Sequence, residues 1–287
     1  MVRFLFMTDT HLGSNGKGFQ QQPAYPDLIG ELLDGIREVL KEEAGIDFIL
    51  HGGDMVDSCT ESNIEQARES FRFEVPLYLS VGNHDLDQPD AKELWLGGAP
   101  EFFAHGSLDY TVDMGECVLH VMPNQWEPGQ LYYWKEAQVP FFTDVQMRDL
   151  EAAIGESPDR IHILSVHNPV FGIMPEQTGL DKPIHEVDGD FRRFVLDLMH
   201  KYPQLKCVLS GHNHIHSLNW ANGGIALSSS SLIETPFEYK IVTVDGSSIR
   251  VETHRVPIRD GGRFEYNEKR GYVQGRPQDR EAVIRSV

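Results

Sequence analysis

Five short segments of this chain carry carboxylate, amide and imidazole side chains at close spacing, and such groups bind metal ions and transfer protons. The segments are Asp9-x-His11, Gly53-Asp54-x-x-Asp57, Gly82-Asn83-His84-Asp85, His167 and Gly211-His212-x-His214. All the donors are oxygen or imidazole nitrogen, a set that suits Mn, Fe, Zn or Co better than a soft metal. They are too many for one cation, whereas two cations that share a bridging carboxylate could use them. Two-metal sites of this kind are the usual solution for displacement at phosphorus.

An apolar run precedes each segment and is expected to be a buried strand. The runs occupy residues 4–7, 48–50, 77–81, 161–166 and 207–209. Short apolar runs bounded by turn residues are typical of such strands. Ligands in open α/β sheets gather at the carboxyl ends of the strands, so five strands that end in Asp, Asn or His predict one shared site. The glycines beside Asp54, Asn83 and His212 fit tight turns that bring the backbone close to a ligand.

Helical patterns separate the strands. One apolar face is formed by Leu28, Leu32, Ile36, Val39 and Leu40, and another lies within residues 191–199. Three further helix starts are indicated by Ser62-x-x-Glu65, Asp90-x-x-Glu93 and Thr143-x-x-Gln146. Alternating strands and helices predict an α/β fold with parallel pairing early in the chain. After Ile215, short strands joined by Gly and Asp turns predict a mainly antiparallel ending.

With the five segments in this order, each after a strand, the sequence resembles the calcineurin-like metallophosphoesterase family from Asp9 to His214 and through the strands that follow. The resemblance implies a four-layer α/β/β/α sandwich with a mixed sheet and an antiparallel C-terminal portion. It also implies two divalent or trivalent transition-metal ions as cofactors. In the family pattern one metal is bound by Asp9, His11 and His214, the other by Asn83, His167 and His212, and Asp54 bridges them.

The same resemblance implies roles for the two remaining residues. His84 would face the phosphate and assist the leaving group without binding metal. Asp57 would orient His84 and hold it protonated, because a neighbouring carboxylate favours the cation. The implied reaction is hydrolysis of a phosphoester without a covalent intermediate, by a hydroxide that bridges the dinuclear metal centre. Both metals and His84 would stabilise charge on the phosphoryl oxygens.

Three functions remain open on the sequence alone. The segments at Asp9 and Gly82 look like the cyclic-nucleotide and glycerophosphodiester branch of the family, which implies a small-molecule phosphodiesterase. The sequence departs from the pattern of that branch at residue 168. That branch often carries a second histidine before the proline, whereas this chain has Asn168 before Pro169. An amide can donate to a phosphate oxygen but cannot carry a proton, so cyclic-nucleotide specificity is not implied. The alternatives are a phosphomonoesterase for nucleotides or phosphoproteins, with the same metal site, and a non-catalytic interaction module.

The charge of the chain bears on its partners. Its 287 residues carry a formal net charge of −19. Residues 257–287 have seven basic and five acidic residues, a net charge of +2, which leaves −21 for residues 1–256. Because the negative charge of residues 1–256 repels the phosphates of a nucleic acid, nucleic acid is disfavoured as substrate or partner. A small phosphoester is expected instead. We predict a metallophosphoesterase domain at 1–256 and a C-terminal arm at 257–287, which packs on the body or on a second subunit in a homo-oligomer.

Compartment can also be predicted. The cysteines Cys59, Cys117 and Cys207 are odd in number and far apart, which favours reduced thiols in a cytoplasmic protein. The apolar start at residues 4–7 is too short for a signal peptide. No apolar run approaches the length of a transmembrane helix, so no membrane partner is expected.

Several residues outside the five segments invite a functional interpretation. The aromatic segment 126–134 is interpreted first as a loop packed over the core, and second as a wall that contacts an organic group. Ser228 to Ser231 lack the surroundings of a nucleophile and are expected in a turn at the end of a strand. Lys17 is expected to be a solvated loop residue, and His216 to lie outside the site.

Overall fold

Twelve strands form two six-stranded sheets in the computed structural model, which describes residues 1–16, 18, 20–43, 45–124, 127, 130–135, 139–187, 189–258 and 264–285. Lys17, Trp126 and part of the predicted arm, residues 259–263 and 286–287, lie outside the described residues. The strands are β1 (Val2–Met7), β2 (Phe48–His51), β3 (Leu77–Leu79), β4 (Tyr110–Asp113), β5 (Cys117–Val121), β6 (Ile161–Ser165), β7 (Leu205–Ser210), β8 (Ser217–Ala221), β9 (Gly224–Ser228), β10 (Glu238–Asp245), β11 (Ser248–Arg255) and β12 (Glu281–Arg285).

Helices connect the strands. They are α1 (Ile29–Glu42), α2 (Glu61–Ser70), α3 (Ala91–Gly98), α4 (Asp144–Glu156), α5 (Pro175–Thr178), α6 (Gly189–Lys201) and α7 (Pro277–Arg280). Short 3-10 turns occupy Pro26–Leu28, His84–Leu86, Pro100–Phe102, Ala104–Gly106 and Glu268–Gln274. The two predicted apolar faces belong to α1 and α6, which confirms both helices.

The helix starts are confirmed in two of the three predicted places. Thr143 forms a complete capping box with Gln146 at the start of α4. α3 begins directly after Asp90, although that side chain makes no capping hydrogen bond. The prediction at Ser62 is wrong, because the hydroxyl of Thr60 accepts the backbone N–H of residue 63 at 3.2 Å and starts α2 two residues earlier.

The sheets are mixed. The first has the order β12-β11-β10-β1-β2-β3 and the second β4-β5-β6-β7-β9-β8. β1, β2 and β3 are parallel, as are β5, β6, β7 and β9. β10, β11 and β12 extend the first sheet in antiparallel fashion, as predicted. β9 departs from the expected antiparallel ending, because it lies parallel to β7 and pairs antiparallel only with β8.

Alternating side chains of the second sheet show how the layers stack. One set, Ile163, Cys207, Leu209, Ile225 and Leu227, packs into a core shared with the first sheet. The intervening residues Leu164, Val208 and Ala226 pack into a second core with apolar residues of α4 and α6. Because successive strand residues point to opposite faces, the second sheet is covered on both sides. The predicted four-layer α/β/β/α sandwich is confirmed.

Residues 264–285 return to the body of the protein. β12 pairs with β11 and forms the edge of the first sheet. Arg280 donates to the Glu238 carboxylate of β10 at 2.6 Å, and the Asp279 carboxylate accepts the backbone N–H of Leu218 at 3.0 Å. This part of the arm therefore packs on the body. Contact with a second subunit and the division at residue 256 stay predictions.

Two further observations concern the cysteines and the length of the helices. Cys59, Cys117 and Cys207 are buried, unpaired thiols. Within the described ranges, no helix has both the length and the apolar character that crossing a bilayer requires.

Candidate metal centre

The predicted site residues meet at the carboxyl ends of strands from both sheets. In the first sheet Asp9 follows β1, Asp54 follows β2 and Asn83 follows β3. In the second sheet His167 follows β6 and His212 follows β7. Because β1, β2 and β3 are parallel to one another, as are β6 and β7, these ends share an edge within each sheet. The five strand ends therefore bring the predicted residues together at one place.

One buried cluster consists of Asp9, His11 and His214, whose candidate ligand atoms all lie within 4.8 Å of one another. The Nε2 atom of His214 is 3.3 Å from Oδ1 of Asp9 and 3.3 Å from Nε2 of His11. These are the three residues assigned to one metal in the family pattern.

A second cluster consists of Asp54, His167 and His212, again with candidate ligand atoms within 4.8 Å of one another. Nε2 of His167 is 3.1 Å from Oδ2 of Asp54, and Nδ1 of His212 is 3.0 Å from Oδ1 of Asn83. The same Asp54 oxygen is 3.9 Å from Nε2 of His11 in the first cluster. Asp54 thus lies between the clusters, where a bridging ligand would have to be. The metal assignments of the individual residues stay predictions.

Asp57 and His84 adjoin the first cluster through His11. Nδ1 of His84 donates to the backbone carbonyl of Asp57 at 2.7 Å, whereas the Asp57 carboxylate is 3.8 Å from that nitrogen. The atom that orients His84 is therefore the carbonyl oxygen and not the predicted carboxylate. Burial alone would lower the pKa of His84, but the charge of Asp54, the carbonyl of Asp57 and its carboxylate raise it overall.

The glycines next to the ligands are required by close contacts. A Cβ on Gly53 would lie 2.3 Å from Nδ1 of His167, and one on Gly82 would lie 2.3 Å from Oδ1 of Asp54. A Cβ on Gly211 would lie 2.4 Å from Oδ2 of Asp9 and still nearer to a neighbouring threonine hydroxyl. Only a residue without a side chain allows the loops to approach this closely, which confirms the prediction for these turns.

Five of the predicted metal residues adopt left-handed backbone conformations. Their φ angles are 55° at Asp9, 41° at His11, 51° at Asp54, 69° at His212 and 56° at His214. Such conformations in residues other than glycine cost roughly 1–3 kcal/mol each and cluster at functional sites. The fold therefore holds these five side chains in place against local backbone preference.

A glutamate that the sequence interpretation did not include contacts the first cluster. Oε1 of Glu234 accepts the Nδ1 hydrogen of His214 at 2.5 Å. Its second oxygen accepts the backbone N–H groups of Gln21 at 3.0 Å and Gln22 at 2.7 Å. Glu234 has no short-range motif that could have identified it, because it follows the Ser228–Ser231 segment in a stretch without the spacing of metal ligands.

His167 is oriented by the backbone of another segment. Its Nδ1 donates to the carbonyl of Gly52 at 2.8 Å, so its Nε2 points towards Asp54. The side-chain oxygen of Asn124 accepts the backbone N–H of His167 at 3.2 Å and that of Asn168 at 3.1 Å. The Gly52 contact determines which ring nitrogen faces the centre, as is usual for metal-binding histidines, and the Asn124 contacts hold the backbone.

Asp85 links two of the ligand-bearing loops. Its carboxylate accepts the backbone N–H groups of Gly82 at 2.9 Å, Val56 at 3.1 Å and Met55 at 3.3 Å. Burial and the nearby charge of Asp54 raise the pKa of Asp85 to about 7. Its position in the segment Gly82-Asn83-His84-Asp85 was visible in the sequence, but its structural role was not.

The donor set fits metal cations. Asp9 and Asp54 are buried, and within the described ranges their ion-pair partners are imidazoles, without any Lys or Arg. Burial alone would lower the pKa of His167, but the carboxylates of Asp54 and Asp9 raise it to about 9. Two buried carboxylates neutralised only by imidazoles would accept a cation in exchange for the imidazole protons.

Other residues singled out in the sequence lie around the centre or away from it. His216 is outside the clusters and lies 3.1 Å from the Glu238 carboxylate. The serine hydroxyl at residue 231 donates to the backbone carbonyl of Asp9 at 2.7 Å, so the serine segment, which begins with the last residue of β9, supports the end of the first strand. Trp134 packs against the first core and stacks on His84, with 6.4 Å between ring centroids.

Comparison with known proteins adds independent information. The family model described as calcineurin-like phosphoesterase matches residues 2–216. The 3',5'-cyclic adenosine monophosphate phosphodiesterase CpdA of Pseudomonas aeruginosa is 28% identical over 194 residues, which cover 66% of this chain and 61% of the relative. The DNA double-strand break repair protein Mre11 of Methanococcus maripaludis is 22% identical over 238 residues, with 79% and 56% covered. The chain spans about three fifths of the length of these curated relatives.

A solved structure has the same fold along its whole length. The dimetal phosphatase from Danio rerio superposes with a TM-score of 0.69 at 13% identity, and the match covers 100% of this chain and 99% of that one. At this identity the likeness concerns the fold alone.

Proposed function

The chain belongs to the calcineurin-like phosphoesterase family, and on that basis we propose that it is a metal-dependent hydrolase of small phosphodiesters. The observation that supports the proposal is the pair of buried clusters that meet at Asp54. Oxygen and imidazole donors are the ligands that suit Mn, Fe, Zn or Co.

Specific residues would hold the cations. Asp9, His11 and His214 would bind one, and Asn83, His167 and His212 the other, with Asp54 between them. When bound, the cations would supply Lewis acidity at phosphorus and a water molecule of lowered pKa. The side chains contribute fixed orientation, because Glu234 and Gly52 determine which ring nitrogens of His214 and His167 face the centre.

His84 would handle the proton and the charge on the substrate. Its Nδ1–H is committed to the Asp57 carbonyl, so the Nε2 edge of the ring is the one that can donate to a phosphoryl or leaving-group oxygen. The raised pKa of His84 makes its ring easier to protonate than an ordinary histidine, which suits a group that donates to an anion. Asp57, His84 and His212 are half-buried whereas the other predicted site residues are buried, so substrate would approach from their side.

Two features favour a small diester over a polymer or a monoester. The relative CpdA is named a cyclic AMP phosphodiesterase, although Asn168 argues against carrying over cyclic-nucleotide specificity. The net charge of −19 opposes binding of a polyanion such as DNA, even though the relative Mre11 is named a DNA repair protein.

Metal analysis followed by parallel assays tests the proposal. The protein is purified without chelator, its metal content is measured by mass spectrometry, and hydrolysis of bis(p-nitrophenyl) phosphate is compared with that of p-nitrophenyl phosphate. We expect bound transition metal and a higher kcat/KM for the diester.

Two other assay results would change or refute the proposal. A strong preference for the monoester would replace the diesterase by the phosphomonoesterase alternative. No bound metal together with no turnover of either ester, before and after incubation with Mn, Fe, Zn or Co, would refute the enzyme and leave the interaction module.

A further inference from the structure

Residues 20–22 lie between Glu234 and the C-terminal arm. The backbone N–H groups of Gln21 and Gln22 donate to one oxygen of Glu234 at 3.0 and 2.7 Å. The other oxygen accepts the Nδ1 hydrogen of the predicted ligand His214. Because Glu234 is only 1% exposed, these three donors replace the water that its carboxylate has lost. The position of residues 20–22 therefore bears on the carboxylate that orients His214.

The side chain of Gln22 is bonded to the arm at both ends of its amide. Its Nε2 donates to the backbone carbonyls of Asn267 at 3.1 Å and Arg270 at 2.9 Å, and its Oε1 accepts the backbone N–H of Asn267 at 2.9 Å. Gln22 is 3% exposed, and a buried amide that loses its partners is unfavourable. The arm thus determines where Gln22 can lie, and with it the N–H that Gln22 offers to Glu234.

Two further contacts join this region to the arm. Nη1 of Arg270 donates to the backbone carbonyls of Gln20 at 3.2 Å and Gln21 at 3.4 Å, and to Oε1 of Gln21 at 3.3 Å. The hydroxyl of Thr235 donates to the backbone carbonyl of Glu265 at 3.0 Å. Residues 20–22 and the segment that carries the glutamate are therefore each attached to the arm.

The histidines of the second cluster are oriented by other partners. Nδ1 of His167 donates to the carbonyl of Gly52 at 2.8 Å, and Nδ1 of His212 lies 3.0 Å from Oδ1 of Asn83. Neither contact involves residues 20–22 or the arm. An effect of the arm that passes through Glu234 should therefore concern one cation and not both.

We infer that the C-terminal arm is a positioning element of the metal centre. Through Gln22 and Glu234, residues 264–274 hold the imidazole of His214 with Nε2 towards the centre, the orientation that binds one of the two cations. Gln22 and Arg270 are positioning residues, because they act through Glu234 and not directly on a cation or the substrate. The inference rests on the proposed function and gives the arm a role beyond packing on the body.

Calorimetric titration of the metal-free protein with Zn²⁺, in the presence of a competing chelator, tests the inference. Gln22→Ala removes the side-chain contacts with the arm, and we expect one of the two binding steps to weaken by about tenfold, the lower end of what the loss of a ligand's orienting partner costs. Arg270→Ala, at an exposed position, should weaken the same step by about threefold. The other step should be unchanged in both variants.

Lys269→Ala is the matched control for Arg270→Ala. Lys269 is an exposed neighbour in the arm, and within the described residues its hydrogen bond comes from its backbone and not from its side chain. The variant loses the same charge and should bind both cations like the wild type. Arg270→Lys keeps the charge and a donor and should recover most of the affinity. Thermal unfolding of the metal-free variants checks that each one is folded.

Proton NMR of the metal-free protein gives a readout that depends on neither metal nor turnover. The Nδ1 hydrogen of His214, bonded to Glu234, should give a downfield imidazole resonance, which Glu234→Gln identifies by removing or shifting it. Gln22→Ala should shift or broaden the same resonance, and Lys269→Ala should leave it in place.

Three outcomes would overturn one proposal or the other. Unchanged binding steps and an unchanged resonance in Gln22→Ala and Arg270→Ala would refute the inference and leave the proposed function intact. Equal weakening of both steps would also refute it, because a general loosening of the fold would then be responsible and not the orientation of His214. A wild type that binds no Zn²⁺ would refute the proposed function, and the NMR comparison would then decide whether the arm positions His214.

Discussion

Glu234 accepts a hydrogen bond from Nδ1 of His214 at 2.5 Å, while His214 presents Nε2 to Asp9 at 3.3 Å. The carboxylate thus fixes the orientation of the imidazole through Nδ1 and leaves Nε2 facing the predicted metal position. The second oxygen of Glu234 binds the backbone at residues 21 and 22. Through Gln22, whose side chain donates to the backbone carbonyls of Asn267 and Arg270, this contact extends to the C-terminal arm.

Glu234→Gln should weaken metal binding without removing a ligand. The neutral amide no longer stabilises the orientation and basicity of His214, and changes of this kind typically cost 10–100-fold in metal affinity. Titration with a metal-competing chelator dye measures the affinity directly. Glu65→Gln, at an exposed position on α2, is the control and should bind metal like the wild type. Equal affinities in both variants would contradict the positioning role.

His84→Ala should separate metal binding from turnover. If His84 donates to the phosphate and binds no metal, the variant keeps its metal content and loses roughly 10²–10⁴-fold in kcat. Asp54→Ala and His214→Ala should lose both metal and activity, because each removes a predicted ligand. Metal content by mass spectrometry and kcat on an aryl diester are measured on the same samples. Full activity of His84→Ala would exclude the assigned role.

Gly211→Ala should disrupt the centre although it changes no ligand. The added Cβ would lie 2.1 Å from the Thr8 hydroxyl and 2.4 Å from Oδ2 of Asp9, so the strand ends must move apart. We expect reduced metal content and a destabilised fold. Gly155→Ala is the matched control, because it lies in α4 with no atom within 4 Å of the new methyl group and should be neutral or stabilising by about 0.5–1 kcal/mol. Thermal unfolding and metal content distinguish the two.

Glu238→Gln should remove part of the acid sensitivity of the fold. Burial alone would raise the pKa of Glu238, but His216 and Arg280 lower it to about 2, from an ordinary 4.5. A carboxylate with a lowered folded-state pKa stabilises fully above the ordinary value, and that stability is lost as pH falls towards 2. The shift corresponds to a contribution on the order of 3 kcal/mol.

Urea unfolding at several pH values checks this prediction. The difference in free energy of unfolding between the wild type and Glu238→Gln should be largest at pH 5 to 6 and should shrink between pH 4.5 and 2. Glu74→Gln, at an exposed position, should show no such change. A difference that is constant with pH would show that Glu238 does not titrate with the lowered pKa.

Much of the fold and the centre could be predicted because the signals are local. Apolar runs specify strands, and the polar residue that ends each run is placed by parallel pairing at the same sheet edge. The wrong helix start at Ser62 and the carbonyl contact between Asp57 and His84 have a common cause. In both cases a backbone atom or a nearby hydroxyl competes with the side chain that the motif favours, and only the final geometry decides between them.

The sequence by itself determined the types of donor, their order along the chain and the glycines beside Asp54, Asn83 and His212 that allow the backbone to approach closely. It also determined the net charge of −19, which disfavours polymeric anions. The tertiary structure alone decided that Glu234 contacts His214 and that the C-terminal arm contacts Gln22. These contacts join segments far apart in the chain, and they depend on how two sheets pack, which no short pattern encodes.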